Sequence, residues 1–297
     1  MNQLKHKDPE SLAKIGRKLF NNGKIPPASS NRCQNKYAGE KSPCNRVLMI
    51  DDSGKEYCMY CDHIMQEDQQ LAAAAKENAR KERMFRLQDH FNLYSIIPKR
   101  LQKAGFDNYN PANESQSRAL NDCRRYAENF PKNLNEENDI GLLLHGMYGL
   151  GKSHLAVAIA KRVIELGSTH TKPDGTEGIT VIFINLPELV TKIKATWRKD
   201  SNISESQILD MLKTCDLLII DELGGAMNKQ DEQGQSWLND MLFQITDARQ
   251  GRNTIYTSNP DPEELQQHVS KKIYERIFAN IHILEFTGKS YRMNGSF

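Results

Sequence analysis

The eight residues Gly146-Met147-Tyr148-Gly149-Leu150-Gly151-Lys152-Ser153 satisfy G-x-x-x-x-G-K-[ST] and constrain the fold more than any other stretch of the chain. An apolar run, Gly141 to His145, precedes them. A helical pattern from His154 to Leu166 follows, with Gly167 as its expected stop. The spacing has a physical reason. Glycines let the backbone curl so that successive N–H groups and the helix N-terminus face a polyphosphate, while Lys152 neutralises its terminal oxygens and Ser153 offers a hydroxyl to Mg²⁺. The nucleotide expected here is ATP or GTP, held by the residues from Gly146 to His154.

Beyond that loop the chain alternates apolar runs with helical patterns. The runs are Gly141 to His145, Ile179 to Ile184, Cys215 to Ile220, Asn253 to Ser258 and Ile281 to Phe286, and they predict a five-stranded, mainly parallel sheet in a three-layer α/β fold. Leu217-Leu218-Ile219-Ile220-Asp221-Glu222 is an apolar strand ending in two carboxylates. Asp221 suits Mg²⁺, and Glu222 suits orientation or deprotonation of an attacking water, which favours hydrolysis over transfer to a small acceptor.

The front of the chain differs. Cys33, Cys44, Cys58 and Cys61 crowd a short segment, and Cys58 and Cys61 form the tight C-x-x-C spacing that lets two thiolates grip one metal ion. Structural Zn²⁺ on the four thiolates is expected, with His63 as an alternative ligand. Leu12, Ile15 and Leu19 give a short helical pattern before it. From about His63 to Phe91 the sequence is polar and Ala-rich, as in an exposed connecting helix. The expected organisation is an N-terminal region over residues 1–62, a helical linker over 63–95 and a nucleotide-binding domain over 96–297.

Charge excludes one class of function. The chain carries a net charge of only +2, so it cannot hold nucleic acid by bulk charge, and any such contact must be local. Residues 1 to 110 carry 19 basic against 13 acidic side chains, so the front is positive and the remainder negative. A candidate local contact is the helical stretch from Pro187 to Lys199, with Lys192, Lys194, Arg198 and Lys199, which reads equally as a phosphate-tracking face or a solvated one. Trp197 shares helical spacing with Leu189 and Ile193, which favours packing over base stacking. The polar N-terminus and the lack of a long apolar run point to a cytoplasmic protein without a membrane span.

With these motifs in place, the sequence resembles the AAA+ ATPases. Within them it is similar to the DnaC/DnaI-type replicative helicase loaders and the related IstB-type transposition ATPases, over about residues 96 to 293. Ile97-Pro98-Lys99-Arg100, Phe106-Asp107-Asn108-Tyr109, Asp216 to Gly224, Thr257-Ser258-Asn259, Tyr274-Glu275-Arg276-Ile277 and Ser290-Tyr291-Arg292 carry the resemblance in order. It implies that Asn259 positions water against the γ-phosphate. It also implies that Arg276 reaches the nucleotide of a neighbouring subunit, and that Arg292 is a further cation on the nucleotide. Residues around Ile97 and Phe106 to Tyr109 would pack beside the adenine or simply in the core, and Arg249 would face a neighbour's nucleotide. The usual C-terminal helical lid would be minimal or absent. The function so implied is ATP-dependent loading of a hexameric replicative helicase onto single-stranded DNA, with head-to-tail self-association through the ATP site. The front region would grip the helicase. The alternative is an IstB-like ATPase that assembles on DNA and recruits a transposase.

Overall fold

The computed structural model describes residues 26–36, 43–135, 140–196, 204–224 and 232–291. The chain divides into two compact units, Met1–Asn78 and Ala79–Phe297. The helical pattern at Leu12 to Leu19 lies outside the described residues.

In the first unit, β1 (Ala28–Arg32), β2 (Val47–Ile50) and β3 (Glu56–Tyr57) form an antiparallel sheet in that order. The helix α1 (Met59–Tyr94) follows at once and runs across the boundary between the units. The strands are too short and too exposed to make a core of their own. What they bury is Cys33, Cys58 and Cys61, with Cys44, Leu48 and Tyr60 packed against them.

The second unit is built on a five-stranded sheet of β4 (Gly141–Gly146), β5 (Val181–Asn185), β6 (Leu217–Asp221), β7 (Thr254–Ser258) and β8 (Ile281–Phe286). Its order is β5-β6-β7-β4-β8, with every pair parallel. Parallel strands covered on both faces read as continuous apolar runs because each face needs its own apolar set. Leu142, Leu144, Val181, Phe183, Leu217 and Ile219 join one core. Leu143, Ile182, Ile184, Leu218 and Ile220 join the other. Burying each such side chain contributes about 1.5–3 kcal/mol.

The first core is closed by α2 (Glu114–Asn135) and α3 (Lys152–Gly167), together with Phe91 near the end of α1. Asn113 caps α2, its Oδ1 accepting from the Gln116 amide at 2.9 Å. The second core is closed by α4 (Leu186–Thr196), α5 (Glu205–Thr214), α6 (Glu232–Ala248), α7 (Pro262–His268) and α8 (Lys271–Phe278). The helix expected to reach Lys199 is described only to Thr196, so Trp197, Arg198 and Lys199 lie outside the described residues. Among the described residues, no helix is long and apolar enough to cross a membrane.

The structure differs from the expectation for Arg249 as a residue facing a neighbour's nucleotide. Arg249 does not face outward. It is 3% exposed, and its guanidinium donates to the carbonyls of Leu212 at 3.0 Å, Cys215 at 2.9 Å and Asn253 at 2.5 Å, and to Thr254 Oγ1 at 2.8 Å. These carbonyls belong to the segments leading into β6 and β7, so Arg249 ties the starts of two strands to the end of α6. Burial pulls its pKa down from the ordinary arginine value, yet the fork of carbonyls suits the cation. Replacing it by leucine strands several buried carbonyls, and the expected loss is about 3 kcal/mol of stability, read as a lower urea midpoint without loss of secondary structure.

Candidate functional site

The site forms at the carboxyl ends of the parallel strands, where the loops of an open α/β sheet leave a crevice. Because β7 lies between β4 and β6, the residues that follow these three strands are brought side by side.

Gly146 ends β4, and Gly151 lies immediately before α3. Their φ angles are 136° and 91°, a region that side-chain-bearing residues rarely adopt. A Cβ on Gly151 would also collide with the Tyr109 ring, and one on Gly146 with the Phe286 carbonyl. The Lys152 ammonium turns back under the loop. It donates to Gly146 O at 2.6 Å, Met147 O at 2.8 Å and Asn259 Oδ1 at 2.9 Å, and the residue is only 6% exposed. Met147 and Tyr148, in contrast, stand exposed at the loop tip.

The acidic side is organised by Thr257. Its hydroxyl donates to Asp221 Oδ1 at 2.6 Å and accepts from the Glu222 amide at 3.0 Å. Asp221 is fully buried, and its other oxygen accepts from Asn185 Nδ2 at 3.2 Å. Glu222 has φ +63°, so the chain turns sharply after Asp221. The turn leaves one carboxylate buried at the end of β6 and the next lining the cleft. Arg100 Nη2 lies 3.7 Å from Glu222 Oε1.

At the far end of the cleft, Tyr109 donates to Leu150 O at 3.1 Å, and burial raises its pKa so that it stays a donor. The Tyr291 amide donates to Gly149 O at 2.9 Å, and its hydroxyl to Gln116 Oε1 at 2.6 Å. The phosphate loop is therefore held from both sides by tyrosines outside it. His154 packs its ring 5.4 Å from that of Tyr109 and donates from Nε2 to Gly105 O at 2.9 Å. The resulting cleft has a volume of about 590 Å³. Arg100, Tyr109, Tyr148 to His154, Glu222, Thr257, Asn259 and Tyr291 line it.

Arg276 does not line this cleft. It sits near the opposite ends of the strands, beside a small cavity bordered by Gly141, Thr254 and Ile281. Its Nε donates to Asp247 Oδ1 at 2.7 Å, and its guanidinium lies 4.4 Å from the centre of the Phe243 ring. Lys192 and Lys194 lie on the exposed side of α4, and Arg292 lies outside the described residues. Sequence reasoning gave no role to Thr257, Asn185, Arg100 or Tyr291. Thr257, Arg100 and Tyr291 belong to motifs that carry the family resemblance. Asn185 had the same signal as Asp221, a polar residue closing a buried apolar strand.

In the first unit the sulfurs of Cys33, Cys44, Cys58 and Cys61 all lie within 4.8 Å of one another. Two of the separations are 3.4 Å, between Cys33 and Cys61, and 3.8 Å, between Cys44 and Cys58. A tetrahedral Zn²⁺ with bonds of about 2.3 Å places its sulfurs about 3.8 Å apart, so the four thiols fit that ion. Burial works against the Cys44 thiolate, but hydrogen bonds from the Arg46 guanidinium, 3.4 Å from its sulfur, from the Arg46 backbone and from the Cys61 and Cys58 thiols together outweigh it, and the thiol comes down to about 7. His63 pairs instead with Glu67 at 3.4 Å.

Residues 51–296 match the model of the family described as IstB-like ATP binding protein. The replicative helicase loader DnaC of Escherichia coli strain K12 is 30% identical over 225 residues, which cover 75% of this chain and 81% of that protein. The protein of the same name from Buchnera aphidicola subsp. Acyrthosiphon pisum is 30% identical over 190 residues, 63% of this chain and 68% of its own. A crystal structure of DnaI superposes with a TM-score of 0.50 at 22% identity, covering 66% of this chain and 94% of that one, which is a likeness of fold.

The cysteine geometry has a direct consequence. The purified chain is expected to carry about one zinc ion by inductively coupled plasma mass spectrometry, and Cys58→Ser to lose most of it while the sheet of the second unit stays folded.

Proposed function

The chain belongs to the IstB-like ATP-binding family, and from that premise we propose that it is an ATP-dependent loader of a replicative DNA helicase. The observation that supports this reading is the 30% identity to a helicase loader over a stretch that covers 81% of that protein's length.

In this reading the triphosphate of ATP lies along the amides from Gly149 to Ser153 and the N-terminus of α3. Lys152 exchanges its loop carbonyls for phosphate oxygens, and Asn259, already in contact with that ammonium, stays beside the terminal phosphate. Ser153 and Asp221 would supply oxygen ligands for Mg²⁺, which when bound would neutralise developing phosphate charge. Asp221 is held for this by Thr257 and Asn185. Glu222 orients the attacking water. Arg276 lies away from its own cleft, which supports a role toward the nucleotide of a neighbouring copy and hence head-to-tail assembly. Lys192 and Lys194 of α4 would follow the phosphates of single-stranded DNA, a contact tolerant of sequence and sensitive to salt. The zinc-bearing front would grip the hexameric helicase, with ATP acting as an assembly and release switch.

Lys152→Ala is expected to abolish binding of a fluorescent ATP analogue. Arg276→Ala should keep that binding within about twofold and lose phosphate release stimulated by DNA and helicase by at least about 100-fold. Normal stimulated turnover by the Arg276 variant would remove the trans assignment.

The loader reading is tested by mass photometry of the full chain with the replicative helicase of the same organism and ATP·Mg²⁺. A stoichiometric complex that is lost on deleting residues 1–62 is the expected result. The family model's match to IstB keeps a second reading, the transposition ATPase, and filaments on duplex DNA with no helicase complex would establish it instead.

A further inference from the structure

Arg100 enters the cleft from a part of the chain far removed from the phosphate loop. It belongs to a single helical turn, Lys99–Leu101, whose Leu101 is buried in the first core. The turn is fastened to α3. Lys161 of that helix donates to Gln102 O at 2.6 Å and to Ala104 O at 2.8 Å. The backbone beneath Arg100 is therefore anchored to the same helix that begins with Lys152.

Its partner, Glu222, is anchored through its backbone. The amide donates to Thr257 Oγ1 at 3.0 Å, and the next amide, of Leu223, donates to Thr257 O at 2.9 Å. Three side-chain torsions still separate that fixed backbone from the carboxylate. At 3.7 Å the guanidinium of Arg100 limits them. Both side chains are partly exposed, 48% for Arg100 and 37% for Glu222, so the pair biases the carboxylate rather than locking it. Lys152 and Asn259 line the same cleft.

We propose that Arg100 is a positioning residue for ATP hydrolysis, aiming the Glu222 carboxylate at the attacking water. This rests on the reading of the cleft as an ATPase site. In the step concerned, the water oxygen bonds to the γ-phosphorus as the bond from that phosphorus to the β–γ bridging oxygen breaks. The water's proton passes to Glu222, and ADP leaves with the bonding pair. Arg100 touches none of these atoms. It acts on the carboxylate that takes the proton, so its loss slows the chemical step and leaves nucleotide affinity alone.

The test is steady-state phosphate release by the full chain with ATP·Mg²⁺ and single-stranded DNA, alongside binding of a fluorescent ATP analogue. Arg100→Ala is expected to lower kcat about tenfold with KM and analogue affinity within about twofold, and Arg100→Lys to recover most of the loss. Adding Arg100→Ala to Glu222→Gln should cost nothing further, because the partner it aims is already gone. A kcat for Arg100→Ala within twofold of the parent overturns the proposal, as does a KM effect with kcat intact or an equal loss in the Glu222→Gln background. If Glu222→Gln hydrolyses ATP as fast as the parent, the ATPase reading of the cleft fails first and the proposal falls with it. The parallel Arg100→Lys variant keeps the charge and most of the bulk, so a folding defect in Arg100→Ala is told apart from lost positioning.

Discussion

The Thr257 hydroxyl holds two strands in the register on which the site depends. It has one proton to give and lone pairs to receive. It gives the proton to the Asp221 carboxylate and receives the amide of Glu222, so the end of β6 is fixed against β7 at both of its acidic residues. A valine of the same shape would leave a fully buried carboxylate short of a donor and a strained turn short of an acceptor. Because β7 also leads into Asn259, and Asn259 receives the Lys152 ammonium, one residue connects the acidic side of the cleft to the phosphate loop.

Much of this was legible in the sequence because burial on both faces leaves a simple trace. The strands β4, β5 and β6 are uninterrupted apolar runs, and the structure shortens or extends them by only a residue or two. The phosphate loop was legible for a different reason, since backbone curled at positive φ demands glycine at fixed positions. The start of α1 was not. Its first turn contains Cys61, whose side chain belongs to the cysteine cluster, so the apolar and polar spacing that marks a helix begins only later. The three short strands before it were equally hidden, because cysteines rather than alternating apolar residues organise them.

Contacts between distant segments left the weakest trace. Arg100 and Glu222 meet only because the segment after α1 folds against α3, and nothing in the local pattern at either residue announces the other. Asn185 and Asp221 meet because β5 and β6 pair in register, residue for residue, down to their last positions. That pairing could be read only after the strand order was known, because a polar residue closing an apolar strand is as often a plain turn former.

Two arginines on the side of the sheet away from the cleft show what burial decides. Arg249 and Arg276 border the same small cavity, and both come from helical segments that pack against the second core. Arg249 is surrounded by carbonyl oxygens, which satisfy a guanidinium without neutralising it. Moving it outward would strand those carbonyls, so its role is structural. Arg276 is about a quarter exposed and is held by the Asp247 carboxylate, the Lys272 carbonyl at 3.0 Å and the face of Phe243, contacts worth little at a surface. A partly exposed ion pair such as Arg276–Asp247 costs little to open, whereas the buried carbonyls around Arg249 cannot be left without their donor. The role proposed toward a neighbour's nucleotide is therefore one that the setting of Arg276 supports and that of Arg249 does not.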